Sequence, residues 1–170
     1  MTQTLQIIGS NTMVDIVGHA SDVPAKVDTG ADRSAIWASD ITISRDGILS
    51  FCLFGKGSIY YTGEVITRRA YKVAIIRSSN GHEQVRYRVS LSLRIGGKRM
   101  QVMVYLSDRS LHNFPILLGR RTLNKKFLVD VSLKEYDRPR NTPAGLNKEL
   151  SKDPYKFHKK YFKKSRLYKK

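Results

Sequence analysis

Apolar and polar residues alternate with a period of two through most of the chain before residue 107. "TLQII" (4–8), "MVDIV" (13–17), "KVAII" (72–76), "QVRYRVSLSLRI" (84–95) and "RMQVMVYL" (99–106) each carry this pattern and are rich in Val, Ile and Tyr, so they predict strands. Turn chemistry separates them. "SSNGHE" (78–83) contains Asn-Gly, "IGGKR" (95–99) contains Gly-Gly and "RDGIL" (45–49) contains Asp-Gly. Such pairs accept positive φ and favour tight hairpins. The one convincing helical stretch in this body is short: "GRRTLNKKF" (119–127), directly after the apolar "FPILL" (114–118). The predicted class is all-β, or mostly β, with a single short helix late in the body.

Composition refines this picture at its end. The chain has 170 residues, of which 41% are hydrophobic, enough for one packed domain and an appendage. Lys and Arg number 31 against 14 Asp and Glu, a formal net charge of +17. Residues 134–170 alone hold 13 basic and 4 acidic side chains. Pro139 and Pro143 mark a linker. The expected organisation is therefore a folded domain over 1–132 and a basic linker and tail over 133–170, partly disordered or helical. After Pro154, a helix would set Phe157, Tyr161 and Tyr168 on one side among lysines, a composition suited to contact with a polyanion such as RNA.

Cys52 is the only cysteine, so no intrachain disulfide can form and a reducing compartment is expected. "MTQTLQIIGSNT" has no basic leader region, and no apolar run reaches the roughly 20 residues of a bilayer span. A cytoplasmic protein without a transmembrane segment is the expectation.

The chemistry concentrates in "AKVDTGADRSAI" (25–36), where an apolar run leads straight into Asp28. A carboxylate at the end of a strand is costly to bury unless it is hydrogen-bonded or has a function. Asp-Thr-Gly alone is also good turn chemistry. Its surroundings make it more specific: Val27 before it, the small Ala31 after it, Ser34 and Ile36 beyond, and "ILLGRRTL" (116–123) far downstream.

This combination resembles the retropepsins, the dimeric half-size relatives of pepsin. The resemblance implies a closed acid-protease barrel in which Asp28 is catalytic and Thr29, Gly30 and Ala31 complete its loop. It also implies that Leu118 and Gly119 pass beneath that loop, and that Asp32 and Arg120 form a structural ion pair. Asn80, Gly81 and His82 fall where a retropepsin has its flap. Residues 45–71 form an insertion relative to the viral enzymes, without an assigned place. "AKVDTGADRSA", "RSSNGHEQVR" and "DRSLHNFPILLGRRTLNKKFLVD" are most similar to a bacterial and archaeal family labelled ATP-dependent zinc proteases, over about residues 7–132. It departs at "GSNTMVDIV" (9–17), where that family has a Trp- and Glu-containing segment.

The label is not reflected in this chain's residues. Catalytic zinc takes about three protein ligands, yet His19, His82, His112 and His158 form no HExxH and no i,i+4 pair. No GxxxxGK[ST] loop is present for ATP. No metal and no cofactor is expected.

An aspartic peptidase needs two carboxylates sharing one proton, and the chain offers one Asp-Thr-Gly. Asp130, in "FLVDVS", lacks the following Gly and reads as structural. The resemblance therefore implies a homodimer with one Asp28 from each subunit, acting on a peptide or protein substrate. The basic residues around the hairpin, among them Arg77, Arg86, Arg88 and Arg94, favour an acidic or glutamate-rich one. Members of the resembled family are linked with glutamate ligases, which points the same way. The rival reading is a non-catalytic, basic nucleic-acid or ribosome-associated binding protein on the same fold.

Overall fold

The computed structural model describes residues 4–77, 83–137 and 145–165. Asn80, Gly81 and His82 lie outside them. The chain divides into two compact units, Met1–Asp137 and Arg138–Lys170.

The first unit opens with strands β1 (Gln6–Ile8), β2 (Asn11–Ile16), β3 (Ala20–Asp28) and β4 (Ser34–Ile43). Strands β5 (Leu49–Leu53), β6 (Val65–Arg68), β7 (Lys72–Arg77), β8 (Glu83–Ile95) and β9 (Lys98–Ser107) follow. It closes with β10 (Ile116–Gly119), helix α1 (Arg120–Leu123) and β11 (Phe127–Val129). Six strands run β10-β3-β2-β8-β9-β4, and β4 pairs back onto β10, so the sheet closes on itself as a barrel. Closure removes the open edges that an alternating sheet would otherwise expose. Val14, Val23, Ile36, Val89, Leu93, Val104, Ile116 and Leu118 are fully enclosed in its core.

Local sequence explains the corners. At Gly96-Gly97 both residues have positive φ, 53° and 78°, as the turn between Ile95 and Lys98 requires. The Asp-Gly turn at Asp46-Gly47 reverses β4 into β5, with Gly47 at φ 78° and the Ser44 hydroxyl donating to Asp46 Oδ1. The insertion over 45–71 now has a place: β4, β5 and β6 form an antiparallel extension of the barrel. It carries its own apolar centre, Phe51 and Phe54, both fully buried, with the Trp37 ring edge-on to Phe54 at 6.5 Å.

The helix late in the body is shorter than its nine-residue pattern suggests. Asn124 leaves the helical region at ψ 129° and Lys125 turns to φ 59°, releasing the chain so that Phe127–Val129 can pair in parallel with Gln6–Ile8. Beyond β11, residues 133–136 remain tied to the barrel. Asn11 Oδ1 accepts the N–H groups of Glu135 and Tyr136 at 3.0 and 2.8 Å, and its amide donates to the Tyr136 carbonyl. Glu135 in turn accepts from the Thr12 hydroxyl at 2.7 Å.

In the second unit, α2 (Leu146–Lys152) and α3 (Pro154–Ser165) form a helical pair. Glu149 joins them by accepting from Lys160 Nζ at 2.6 Å and the Tyr161 hydroxyl at 2.9 Å. The Phe157 and Tyr161 rings pack one turn apart with tilted planes, 4.6 Å between centroids. No helix among the described residues is long and apolar enough to cross a membrane.

Asn11 satisfies three backbone groups of a segment more than 120 residues away, so its loss strands them. Asn11→Ala is expected to cost about 1–3 kcal/mol in denaturant unfolding and to raise hydrogen exchange at the Glu135 and Tyr136 amides.

Candidate active site

Asp28 is the last residue of β3, half-buried with 30% of its side chain exposed. The chain turns sharply after it, and Oδ1 accepts two backbone N–H groups, from Gly30 and Ala31, each at 3.1 Å. Those bonds fix the carboxylate plane and use one of its two oxygens. Oδ2 lies 3.9 Å from Lys26 Nζ. Thr29 and Gly30 stand exposed beside it.

The loop is braced from below by β10. Parallel pairing sets Leu118 opposite Val27 and Gly119 opposite Asp28. A Cβ on Gly119 would overlap the backbone carbonyl of Arg33, so only glycine lets the two segments approach. The Gly119 N–H donates to Ser34 Oγ at 3.0 Å, and the buried hydroxyls of Ser34 and Thr122 bond at 2.7 Å. From α1, the Arg120 and Arg121 N–H groups reach the Ala31 and Asp32 carbonyls at 2.8 and 3.2 Å. Ser34 and Thr122 carry a role that the motif alone does not disclose, although Ser34 stands within it.

Asp32 faces three guanidinium groups. Arg120 is 3.3 Å away, Arg121 nearer at 3.0 Å, and Arg33 at 3.5 Å. The hydrogen bond from Arg121, with the charges of both Arg121 and Arg120, holds the Asp32 carboxyl below the ordinary carboxylate range. Asp130 caps a turn instead: its Oδ1 accepts the Ser132 hydroxyl and N–H at 2.6 and 2.9 Å, which likewise lowers its pKa.

A second group of charges lies in the segment that leads from β9 to β10. Arg109 is only 8% exposed, and its Nε donates to the Phe114 carbonyl at 3.0 Å. Burial and the neighbouring Arg86 lower its pKa, while Asp28, within electrostatic reach, opposes them. His112 joins this cluster. Although the residue as a whole is exposed, partial desolvation of its ring and the charges of Arg109 and Arg86 lower its pKa. Sequence reasoning missed Arg109; the Asp-Arg pair directly after the apolar strand β9 is the signal that could have disclosed it.

A cavity of about 760 Å³ lies apart from the Asp28 loop, none of whose residues lines it. Trp37 and Asp40 of β4, Lys56 from the insertion, and Arg86 and Tyr87 of β8 line it. Among the described residues no three His, Cys, Asp or Glu side chains converge as a metal site would require.

A closed six-stranded barrel with an Asp-Thr-Gly loop braced by Leu-Leu-Gly-Arg defines a retropepsin-like protein. The chain belongs to the RimB-like family, described as retropepsin-like aspartic endopeptidase RimB, whose model matches residues 7–140. It is 33% identical over 114 residues to a probable alpha-L-glutamate ligase of Shewanella pealeana, covering 65% of this chain and 25% of that protein. A protein of the same description from Desulfotalea psychrophila is 30% identical over 115 residues, with coverages of 66% and 25%. The chain thus spans about a quarter of the length of these relatives. A Legionella pneumophila protein of unknown function shares the fold, with a TM-score of 0.59 at 24% identity over 77% of this chain and 97% of that one.

Two outcomes test this geometry. Ser34→Ala leaves the Gly119 N–H and the Thr122 hydroxyl buried without a partner and is expected to cost about 1–3 kcal/mol in unfolding experiments. Arg109→Gln removes a positive charge beside His112, so the His112 pKa should rise in an NMR titration; an unchanged value would separate the two side chains.

Proposed function

We propose that this protein is a homodimeric aspartic endopeptidase in which two Asp28 carboxylates, one from each subunit, activate a water molecule. The observation that carries the reading is the state of Asp28: Oδ1 is fixed by two backbone N–H groups while Oδ2 accepts none, in a loop whose Thr29 and Gly30 are exposed. A catalytic carboxylate needs that combination of fixed orientation and an open oxygen.

The second carboxylate comes from a two-fold partner. Like charges a few ångströms apart cannot both ionise, so the pair shares one proton. The ionised member takes a proton from water as the water oxygen bonds to the scissile carbonyl carbon. The protonated member donates to the carbonyl oxygen. The tetrahedral intermediate then collapses, the C–N bond breaks, and the amide nitrogen leaves with a proton. By resemblance, Thr29 bonds across the two-fold axis, and the hairpin bearing Asn80, Gly81 and His82 closes over the substrate.

The surface beside the loop supports a partner. Ile7 and Leu128 face each other in the β1–β11 ribbon and are 58% and 53% exposed, and Thr29 shares a surface cleft with Phe127 and Val129 of that ribbon. A short two-stranded ribbon with apolar side chains outward is a ready template for pairing with a second chain. The substrate reading, an acidic or glutamate-rich peptide, draws support from Arg109, which lies within electrostatic reach of both Asp28 and Arg86, and from relatives described as probable alpha-L-glutamate ligases.

The second unit favours an added function. Its lysines and exposed Tyr155 suit contact with a polyanion such as RNA, which would recruit the enzyme to its substrate or, in the rival reading, be its whole purpose. A chain ending at Asp137 separates the two, because it keeps the bonds to Asn11: as an enzyme it continues to hydrolyse peptide while polyanion binding falls.

Asp28→Asn should lower hydrolysis of a peptide library by about 10²- to 10⁴-fold with the dimer intact by analytical ultracentrifugation. In mixtures that exchange subunits at equal concentration, activity should fall to about a quarter of that of the undiluted wild type, because only wild-type pairs retain both carboxylates. Full activity of Asp28→Asn, or an active monomer, would end this reading.

A further inference from the structure

We propose that Arg109 is a specificity-determining residue that binds a carboxylate of the substrate near Asp28. The inference rests on the peptidase reading for its setting and on a physical anomaly for its content. A guanidinium taken out of water is expensive unless a carboxylate neutralises it. Arg109 is more than nine-tenths buried, yet among the described residues its only hydrogen-bond acceptor is the neutral carbonyl of Phe114, and no carboxylate comes within ion-pair distance. Residues 1–3, 78–82, 138–144 and 166–170 contain no Asp or Glu side chain.

The neighbourhood worsens the imbalance. Arg86 is close enough to act on both Arg109 and His112, and its Nε is bonded to Gln84, a neutral acceptor, at 2.9 Å. Asp108, next in sequence, accepts the Ser110 N–H at 2.9 Å, and its charge acts on His112. Asp28 is the one anion that acts on Arg109 in the opposite sense. In the dimer two such aspartates share a proton and carry one negative charge, against two copies each of Arg109 and Arg86. Arg109 and the charges that act on it are therefore net positive before substrate enters. With Nε anchored on Phe114, the two terminal nitrogens of Arg109 remain to grip a planar carboxylate.

Two parts of a peptide carry that group: a Glu or Asp side chain near the scissile bond, and the C-terminal α-carboxylate. Three fluorescent peptides of one length separate them: an amidated Glu-rich peptide, an amidated Gln-containing counterpart, and that counterpart with a free C-terminus. Wild type should bind and cleave at least one carboxylate-bearing peptide in preference to the amidated neutral one. Arg109→Gln should raise Kd and KM for the preferred peptide by about 10- to 100-fold, with kcat and the neutral peptide little changed. Arg109→Lys should recover part of the loss.

Equal binding of all three peptides by wild type would overturn the proposal. So would an equal loss for all three in Arg109→Gln, which would mark a merely structural role. Should Arg109→Gln fail to fold, titration of the wild-type chain with N-acetylglutamate amide decides the matter by NMR: the Arg109 Nε–H resonance should move, and N-acetylglutamine amide should leave it in place. If neither they nor N-acetylglycine carboxylate moves it, the proposal fails. Binding is read without hydrolysis, so an active Asp28→Asn would remove the peptidase reading and leave this one standing.

Discussion

The structure depends on one passage: β10 running between β3 and β4. That insertion closes the barrel, and it sets Gly119 directly under Asp28 with no room for a side chain. The same strand end delivers the Gly119 N–H to Ser34 and starts α1, whose first N–H groups bind the carbonyls of Ala31 and Asp32. Each bond acts on the loop after Asp28 from a different direction. A carboxylate at a strand end would otherwise drift with its loop; here the loop is held by buried hydroxyls and backbone, which tolerate little movement. The orientation of Asp28 is thus a property of barrel closure as much as of its own turn.

Much of the architecture was legible because the barrel strands alternate. β8 and β9 carry a clean period of two and a Gly-Gly turn, so their hairpin follows from pattern and turn chemistry. β4 was harder to read. Its "SAIWASDITI" begins with a continuous apolar run because that end is buried between β9 and β10, and only its far end leaves the barrel to pair with β5. Alternation cannot reveal a strand that is enclosed on both faces. In β3, Pro24 and the positive φ of Asp22 interrupt the pattern although the strand continues. The late helix ends early for a different reason: Lys125 and Lys126 have good helix propensity, and tertiary pairing of Phe127 with Gln6 overrides it.

The candidate site divides in the same way. Asp28, Thr29, Gly30 and the Leu-Leu-Gly-Arg segment stand in contiguous motifs, so they could be found by reading along the chain. The Ser34–Thr122 bond joins residues 88 apart, and the cluster of Arg86, Arg109 and His112 is assembled from two segments. No spacing rule predicts such meetings. Asp32 illustrates the limit within a motif, since the adjacent Arg121 lies closer to it than Arg120 does. Neighbouring residues on a one-turn helix can exchange such a role at little cost, because both guanidinium groups are exposed and long enough to reach.

Arg109 and Arg86 supply part of the positive charge that the body carries apart from its tail. A surface arginine adds little to stability and is easily replaced by lysine. A buried one such as Arg109 is different: its burial opposes its charge, Arg86 adds repulsion, and the hydrogen bond to Phe114 returns only part of that cost. The folded state carries this strain in the segment that connects β9 to the closing strand β10, immediately before the passage on which Asp28 depends. A bound anion would relieve it at that point.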